Sequence, residues 1–153
     1  MGDNLRIRPA VRRDVDELRA LYRRSSLSNE GDRANLLAHP DALEWPGSSV
    51  DEGRTIVAID AGSGGRIVGF ATTFDASAFV ELEDLFVDPE RKRQGIGRAL
   101  VGAVLAVARE HGFERIEVTA NTHALAFYES VGFVVEGETT TRFGTAPRMH
   151  LPV

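Results

Sequence analysis

Apolar and charged positions alternate with period two at residues 5–10 (LRIRPA), the pattern of a strand with one solvated face. Asp14 followed three residues later by Glu17 reads as a capping box. Val15, Leu18, Leu21 and Tyr22 then recur at helical spacing, which predicts a helix over about 14–26. Residues 29–50 are less regular. Leu36 and Leu37 suggest a short second helix, while His39-Pro40, Trp45-Pro46 and Gly47-Ser48-Ser49 read as loop. Residues 54–60 (RTIVAID) and 66–74 (RIVGFATTF) are β-rich runs joined by AGSGG, a hairpin signature, and 79–87 is a third run ended by Asp88-Pro89. Gly97 to His111, rich in Ala, Leu and Val, predicts a helix with Gly112 placed to stop it. Residues 115–120 (RIEVTA) read as a strand, and 122–131 as a helix closed by Gly132, the same device again. Phe133–Thr139 and Arg148–Leu151 complete the set as an antiparallel pair with an FGTAP loop between them.

These elements predict a mixed α/β (α+β) domain. Strand 79–87, helix 97–111 and strand 115–120 form a unit whose strands run parallel through a right-handed crossover. The hairpins on either side argue against an all-parallel sheet. A length of 153 residues suits one domain, 1–153, and a charged fraction of 27 % with 42 % apolar residues is that of a folded chain. The absence of cysteine excludes a disulfide scaffold, a thiolate metal site and a cysteine nucleophile. The longest apolar run, Ala99 to Ala108, is half of what a bilayer crossing needs, and the start MGDNLRIRP carries neither a leader's apolar core nor a myristoylation motif. The expectation is a cytoplasmic protein with no membrane partner. A net charge of −5 argues against a nucleic-acid partner. No two of the four histidines have metal-ligand spacing, and no metal is expected.

The cations are 17 Arg and one Lys, and one group of them, Arg91-Lys92-Arg93, stands just before Gly95-Ile96-Gly97. There a strand ends, a cationic turn follows and glycines open an apolar helix. Glycine permits close backbone approach, and a helix start offers unpaired N–H groups at the positive end of its dipole. The segment is therefore either a phosphate site or a tight turn that needs glycine for geometry alone. A Walker loop is excluded because Lys92 precedes the glycines, and a dinucleotide fingerprint because Leu100 stands where a third Gly or Ala belongs.

With Val87, Pro89, Gly95 and Gly97 in place, the segment resembles the first motif of the GNAT family, the acetyl-CoA-dependent N-acetyltransferases. Lys92 departs from the Gln or Arg of that motif; it keeps the charge and loses the planar fork of arginine. Asn121, Ala124, Tyr128, Gly132 and Phe133 resemble the family's second block, N-x-x-A-x-x-x-Y-x-x-x-G-F. The resemblance covers residues 5–153 as an order of elements, with the diagnostic motifs confined to 81–133. It implies a mostly antiparallel sheet, with the parallel pair 79–87 and 115–120 splayed around the coenzyme, flanked by about four helices.

It further implies transfer from acetyl-CoA to an amine acceptor by direct attack in a ternary complex, without a covalent enzyme intermediate. The pantetheine arm pairs with backbone at Leu85, Phe86 and Val87. The pyrophosphate lies on the N–H groups of Arg93, Gln94, Gly95, Ile96, Gly97 and Arg98, with Arg91 and Lys92 left to meet the remaining phosphate charge. Backbone N–H at Phe86 or Val87 is the oxyanion donor. Tyr128 is assigned the leaving sulfur, although a core tyrosine against Phe127 and Phe133 would carry the same spacing. Asn121 bonds the pantetheine or the substrate, caps a helix, or does both. Glu83 is the favoured base and Glu81 the position used by other branches, with a solvated carboxylate or a partner for an arginine as the plain alternative. Asp84, on the opposite face, is set aside. Trp45 and residues 25–50 line the acceptor side by the same analogy. Family members are often dimers, so a homodimer is among the expectations. Two other readings stay open, a sensor that holds acyl-CoA without turnover and a transferase for a longer acyl group.

Overall fold

A computed structural model describes residues 4–153, so the first residues of the start searched for a leader lie outside the described part. The strands are β1 (Leu5–Pro9), β2 (Thr55–Asp60), β3 (Arg66–Asp75), β4 (Val80–Val87), β5 (Arg115–Thr119), β6 (Val134–Thr141) and β7 (Gly144–Pro152). The helices are α1 (Val15–Leu27), α2 (Glu30–Ala38), the single turn α3 (Ser48–Asp51), α4 (Ile96–Glu110) and α5 (Leu125–Ser130). The sheet has seven strands in the order β1-β2-β3-β4-β5-β7-β6. β4 and β5 are parallel, with a ladder of two pairs, Val80–Ile116 and Glu81–Glu117. Among the described residues no helix is long and apolar enough to cross a membrane.

The chain divides into two compact units, one running to Thr72 and including Asp84–Leu100, the other formed by Thr73–Glu83 and Val101–Val153. The first is centred on Leu18 and Leu21 of α1, Val57 of β2 and Ile67 and Phe70 of β3, with Trp45 and Val50 beside them. Four of these side chains, Leu18, Leu21, Val57 and Phe70, are wholly buried. A chain of hydroxyls links Ser49, Thr55 and Thr72 at 2.8 and 2.9 Å, so polar groups buried in this unit are paired with one another. Gly69 is required by close approach: a Cβ there would come within 2.9 Å of Ile96 Cγ2 and 3.1 Å of the Phe86 carbonyl oxygen.

The second unit buries Val104 and Ala108 of α4, Ile116 and Val118 of β5, Tyr128 and Phe133, and Met149 and Leu151 of β7. α4 ends in a Schellman motif: Gly112 sits at φ 78°, its N–H donates to Arg109 O, and Phe113 N–H donates to Ala108 O. α5 repeats it at Gly132, with Gly132 N–H on Glu129 O and Phe133 N–H on Tyr128 O. The two stop signals read from the sequence are thus one hydrogen-bond pattern used twice.

Three local readings are corrected. A turn of 3₁₀ helix, Arg12–Asp14, precedes α1, which moves the helical start to Val11. Asp14 therefore stands at the third helical position and accepts the Val11 N–H at 2.8 Å, and Glu17 instead accepts the Ile67 N–H of β3. Ser48 and Ser49 belong to α3 rather than to a loop, entered through Gly47 at φ 81°. Gly144–Pro147 are paired in β7 with β6, which leaves Arg142-Phe143 as a two-residue turn in place of the FGTAP loop.

The Arg8 guanidinium grips Asp14 through two bonds of 2.8 and 3.1 Å and holds its carboxyl below the usual carboxylate range. Its stabilisation is therefore whole above the unfolded-state value near pH 4 and lost as pH falls through the lower folded value. Asp14→Asn is expected to cost about 2 kcal/mol at pH 7. Urea unfolding of both proteins across pH checks this, because the difference between them should narrow below about pH 4.

Candidate active site

The strand-to-helix turn after β4 is held at its start by Asp88, which is wholly buried. Its N–H donates to Val68 O of β3, one carboxylate oxygen accepts the Glu90 N–H at 3.1 Å, and the other lies 3.3 Å from both Arg24 and Arg66. After the 3₁₀ turn Pro89–Arg91 the backbone is extended at Lys92, left-handed at Arg93 (φ 65°) and left-handed again at Gly95 (φ 81°). Arg93 is the one residue other than glycine with positive φ among the described residues. Such a residue persists only where its surroundings over-determine it, at a cost of order 1–3 kcal/mol. Ala99 N–H donates to Gly95 O at the start of α4, so the amides from Ile96 to Arg98 lie ahead of the intrahelical ladder. A Cβ on Gly95 would meet nothing within 4 Å, so that side of the turn has room for a ligand. The predicted coenzyme residues Lys92, Arg93, Gln94, Gly95, Ile96, Gly97 and Arg98 are thereby brought into one turn and helix start, with Lys92, Arg93 and Gln94 exposed and Ile96 and Gly97 buried.

Arg91 is corrected. It does not stand ready for phosphate: it donates to the carboxylate of Asp60, at the end of β2, and at 2.9 Å to Ser63 Oγ. The pairing raises the guanidinium pKa, and it lowers that of Asp60, which also accepts from Ser63 Oγ and Gly62 N–H.

Leu85, Phe86 and Val87 are half-buried on β4. The Phe86 ring stacks on Phe70 at 5.5 Å and meets the edge of Tyr22 at 4.8 Å. Trp45, expected on the acceptor side, packs into this core at 5.1 Å from Phe70, and its indole N–H donates to Asp84 Oδ2 at 3.0 Å. Asp84, set aside in the sequence, is thus bonded to a cluster of four rings, Phe70, Phe86, Trp45 and Tyr22, of which Tyr22 donates to Ala42 O. Burial, and then the charge of Asp84, push the Tyr22 phenol up. No sequence signal beyond the helical spacing of Tyr22 points to this cluster.

Glu81 is gripped by both terminal nitrogens of Arg148 from β7, and Arg148 also reaches Glu117 at 2.8 Å and Thr119 at 3.0 Å. These acceptors raise the Arg148 pKa, the Glu81 bond most of all. Arg148 was not singled out in the sequence; it is 67 residues from Glu81 and follows no motif. Glu83 is exposed on β4. Tyr128, on α5, is 7 % exposed and makes edge contacts with Phe127 and Phe133, both at 5.3 Å. Asn121 is exposed and begins the 3₁₀ turn before α5 without a side-chain capping bond. Among the described residues no three His, Asp or Glu side chains are grouped to bind a metal ion.

A mixed sheet with one parallel pair, and a glycine-containing turn that leads from that pair's first strand into a helix, define an α/β protein. The model of the acetyltransferase (GNAT) family matches residues 15–133, and the chain belongs to that family. Human N-acetyltransferase 8 is 42 % identical over 62 residues, which are 39 % of this chain and 27 % of that protein. Glucosamine 6-phosphate N-acetyltransferase of Trypanosoma brucei brucei is 33 % identical over 76 residues, 45 % of this chain and 52 % of that protein. The chain therefore spans between about a quarter and a half of these curated relatives. Among solved structures, the PaiA N-acetyltransferase of Thermoplasma acidophilum in complex with coenzyme A superposes with a TM-score of 0.76 at 18 % identity, over 97 % of this chain and 99 % of that one. At that identity the likeness establishes the fold.

Proposed function

We propose that the chain acts as a single-domain N-acetyltransferase that moves an acetyl group from acetyl-CoA to a primary amine of a small molecule or protein. The observation that carries this reading is the turn after β4, where left-handed backbone at Arg93 and Gly95 leads into the open amides of α4 inside the family-matched segment. In this reading the amides of Arg93 to Arg98 hold the pyrophosphate, Lys92 adds a cation, Asn121 bonds the pantetheine arm, and backbone at Leu85, Phe86 and Val87 pairs with it. Bound acetyl-CoA supplies a thioester: the amine nitrogen bonds to its carbonyl carbon, the carbon–sulfur bond breaks, and the coenzyme leaves as a thiolate.

The chain's own groups move the protons. An alkylamine is mostly protonated at neutral pH, so Glu83 takes a proton from it, directly or through water. Glu81, with both oxygens bonded to Arg148, serves as a fixed charge rather than as the base. An N–H of Phe86 or Val87 faces the developing oxyanion. The Tyr128 hydroxyl gives its proton to the leaving sulfur, and the second proton that the nitrogen sheds on becoming an amide returns to Tyr128 through water, so that amide and thiol form with one net proton released through Glu83.

Thermal unfolding with acetyl-CoA, CoA, ATP and NAD tests the coenzyme. At 100 times its dissociation constant a ligand adds roughly 2.7 kcal/mol, which for this chain length raises the midpoint by about 5–11 °C. A rise with acetyl-CoA and CoA alone is expected, and none at millimolar acetyl-CoA would overturn the reading. Thiol release across a panel of primary amines is the second stage. Coenzyme binding without release from any amine would favour the non-catalytic sensor.

A further inference from the structure

Of the three adjacent cations Arg91, Lys92 and Arg93, the first is engaged by side chains outside the turn. Arg91 lies two residues before Arg93, whose left-handed backbone costs free energy and must be held by its surroundings. Two polar ties hold the turn to the rest of its unit at its start and near its middle. At its start, buried Asp88 binds Arg24, Arg66 and the backbone of β3. Near its middle, Arg91 binds Asp60 and Ser63, at the junction of β2 and β3. Asp60 is fixed in turn by Gly62 N–H at 3.0 Å and Ser63 Oγ at 2.7 Å. A cavity of about 100 Å³ lies beside this pair, lined by both residues together with Asn4 and Leu5 at the start of β1, Val68 of β3, and Gln94 and Ile96 of the turn and helix start. The pair thus stands next to the amides assigned to the pyrophosphate, while its own charges cancel.

We propose that Asp60 is a positioning residue for the coenzyme: through Arg91 it fixes the turn 91–95 in the shape that presents its amides to the pyrophosphate, and Arg91 itself contributes no phosphate contact. This rests on the acetyl-CoA reading above. It assigns a role in coenzyme affinity to a β-hairpin carboxylate 31 residues from the turn. A different geometry, with Arg91 swinging to phosphate, makes an opposite prediction. In that case Asp60 competes with the coenzyme for Arg91, and removing Asp60 tightens binding.

Titration calorimetry with coenzyme A on wild type, Asp60→Ala, Asp60→Glu, Arg91→Ala and the double alanine variant separates the two. The expected result is a dissociation constant about tenfold weaker for Asp60→Ala and for Arg91→Ala. The double variant should be no weaker than either single one, because both remove one tie. Asp60→Glu should restore most of the affinity, which a general loss of fold would not allow. Tighter binding by Asp60→Ala, or additive losses in the double variant, would overturn the proposal. Ser63→Ala, which removes the 2.9 Å bond from Arg91 and the 2.7 Å bond to Asp60 but leaves the ion pair, is the milder variant should Asp60→Ala fail to fold; it should weaken binding by two- to threefold, and unchanged affinity would count against the proposal. Wild-type protein that binds no coenzyme A would instead remove the reading on which the proposal rests.

Discussion

Tyr128→Phe is expected to lower kcat by on the order of 10²–10³-fold while leaving the dissociation constant for coenzyme A within about twofold. The substitution deletes one oxygen and keeps the ring. That ring is buried between Phe127 and Phe133, at 5.3 Å from each in edge-to-face contact, so the packing that orders α5 survives. Stability should therefore change by less than about 1 kcal/mol, and a large fall in rate would report the missing proton donor rather than a disturbed helix. Thiol release from acetyl-CoA with a responsive amine measures the rate, and calorimetry the affinity. An unchanged kcat would remove Tyr128 from the mechanism and leave it a core residue. A second variant adds a check: Glu83→Gln should lower kcat by on the order of 10²-fold, and unchanged turnover would remove Glu83 as the base.

Phe70→Ala is expected to cost about 3–5 kcal/mol, a large part of the roughly 5–15 kcal/mol that holds such a domain folded. Phe70 has no exposed surface and is the largest side chain of its core in that state. It touches Trp45 at 5.1 Å and stacks on Phe86 at 5.5 Å. Its loss opens a cavity beneath Phe86, on the strand whose backbone is assigned to the pantetheine. Coenzyme affinity should fall together with stability, whereas Tyr128→Phe should separate rate from both. Urea unfolding measures the cost, and a loss below about 1.5 kcal/mol would mean that the neighbouring rings collapse into the space. Phe70→Leu should recover more than half of the loss, because most of the buried volume returns.

Much of the fold was legible in the sequence because its signals are local. Alternation marked β1, β-rich runs marked β2 to β4, helical spacing marked α1, and a run rich in Ala, Leu and Val marked α4. The glycines at 112 and 132 fall where both Schellman stops occur. The misreadings were local as well, and arose where one signal admits two geometries. Asp14 with Glu17 fits a capping box, but a preceding 3₁₀ turn shifts the frame and sends Glu17 to the Ile67 N–H of β3. Gly-Thr-Ala-Pro looks like a loop, yet pairing with β6 makes it strand, since cross-strand hydrogen bonds outweigh weak intrinsic preference.

The candidate site divides in the same way. The composition of the turn proposed for the coenzyme is written in the chain, because glycine spacing, cations and the helix that follows are contiguous. The sequence by itself also determined the family's second block, whose residues lie within one short helix and its flanks. Only the tertiary structure decided which charged groups are already engaged. Arg91 meets Asp60 across 31 residues, Glu81 meets Arg148 across 67, and Trp45 meets Asp84 across 39. The physical reason is that a side chain's charge can be read from its identity, but its availability depends on what the fold places within hydrogen-bonding reach. Strand order and register set that placement, and no local pattern in the chain records it.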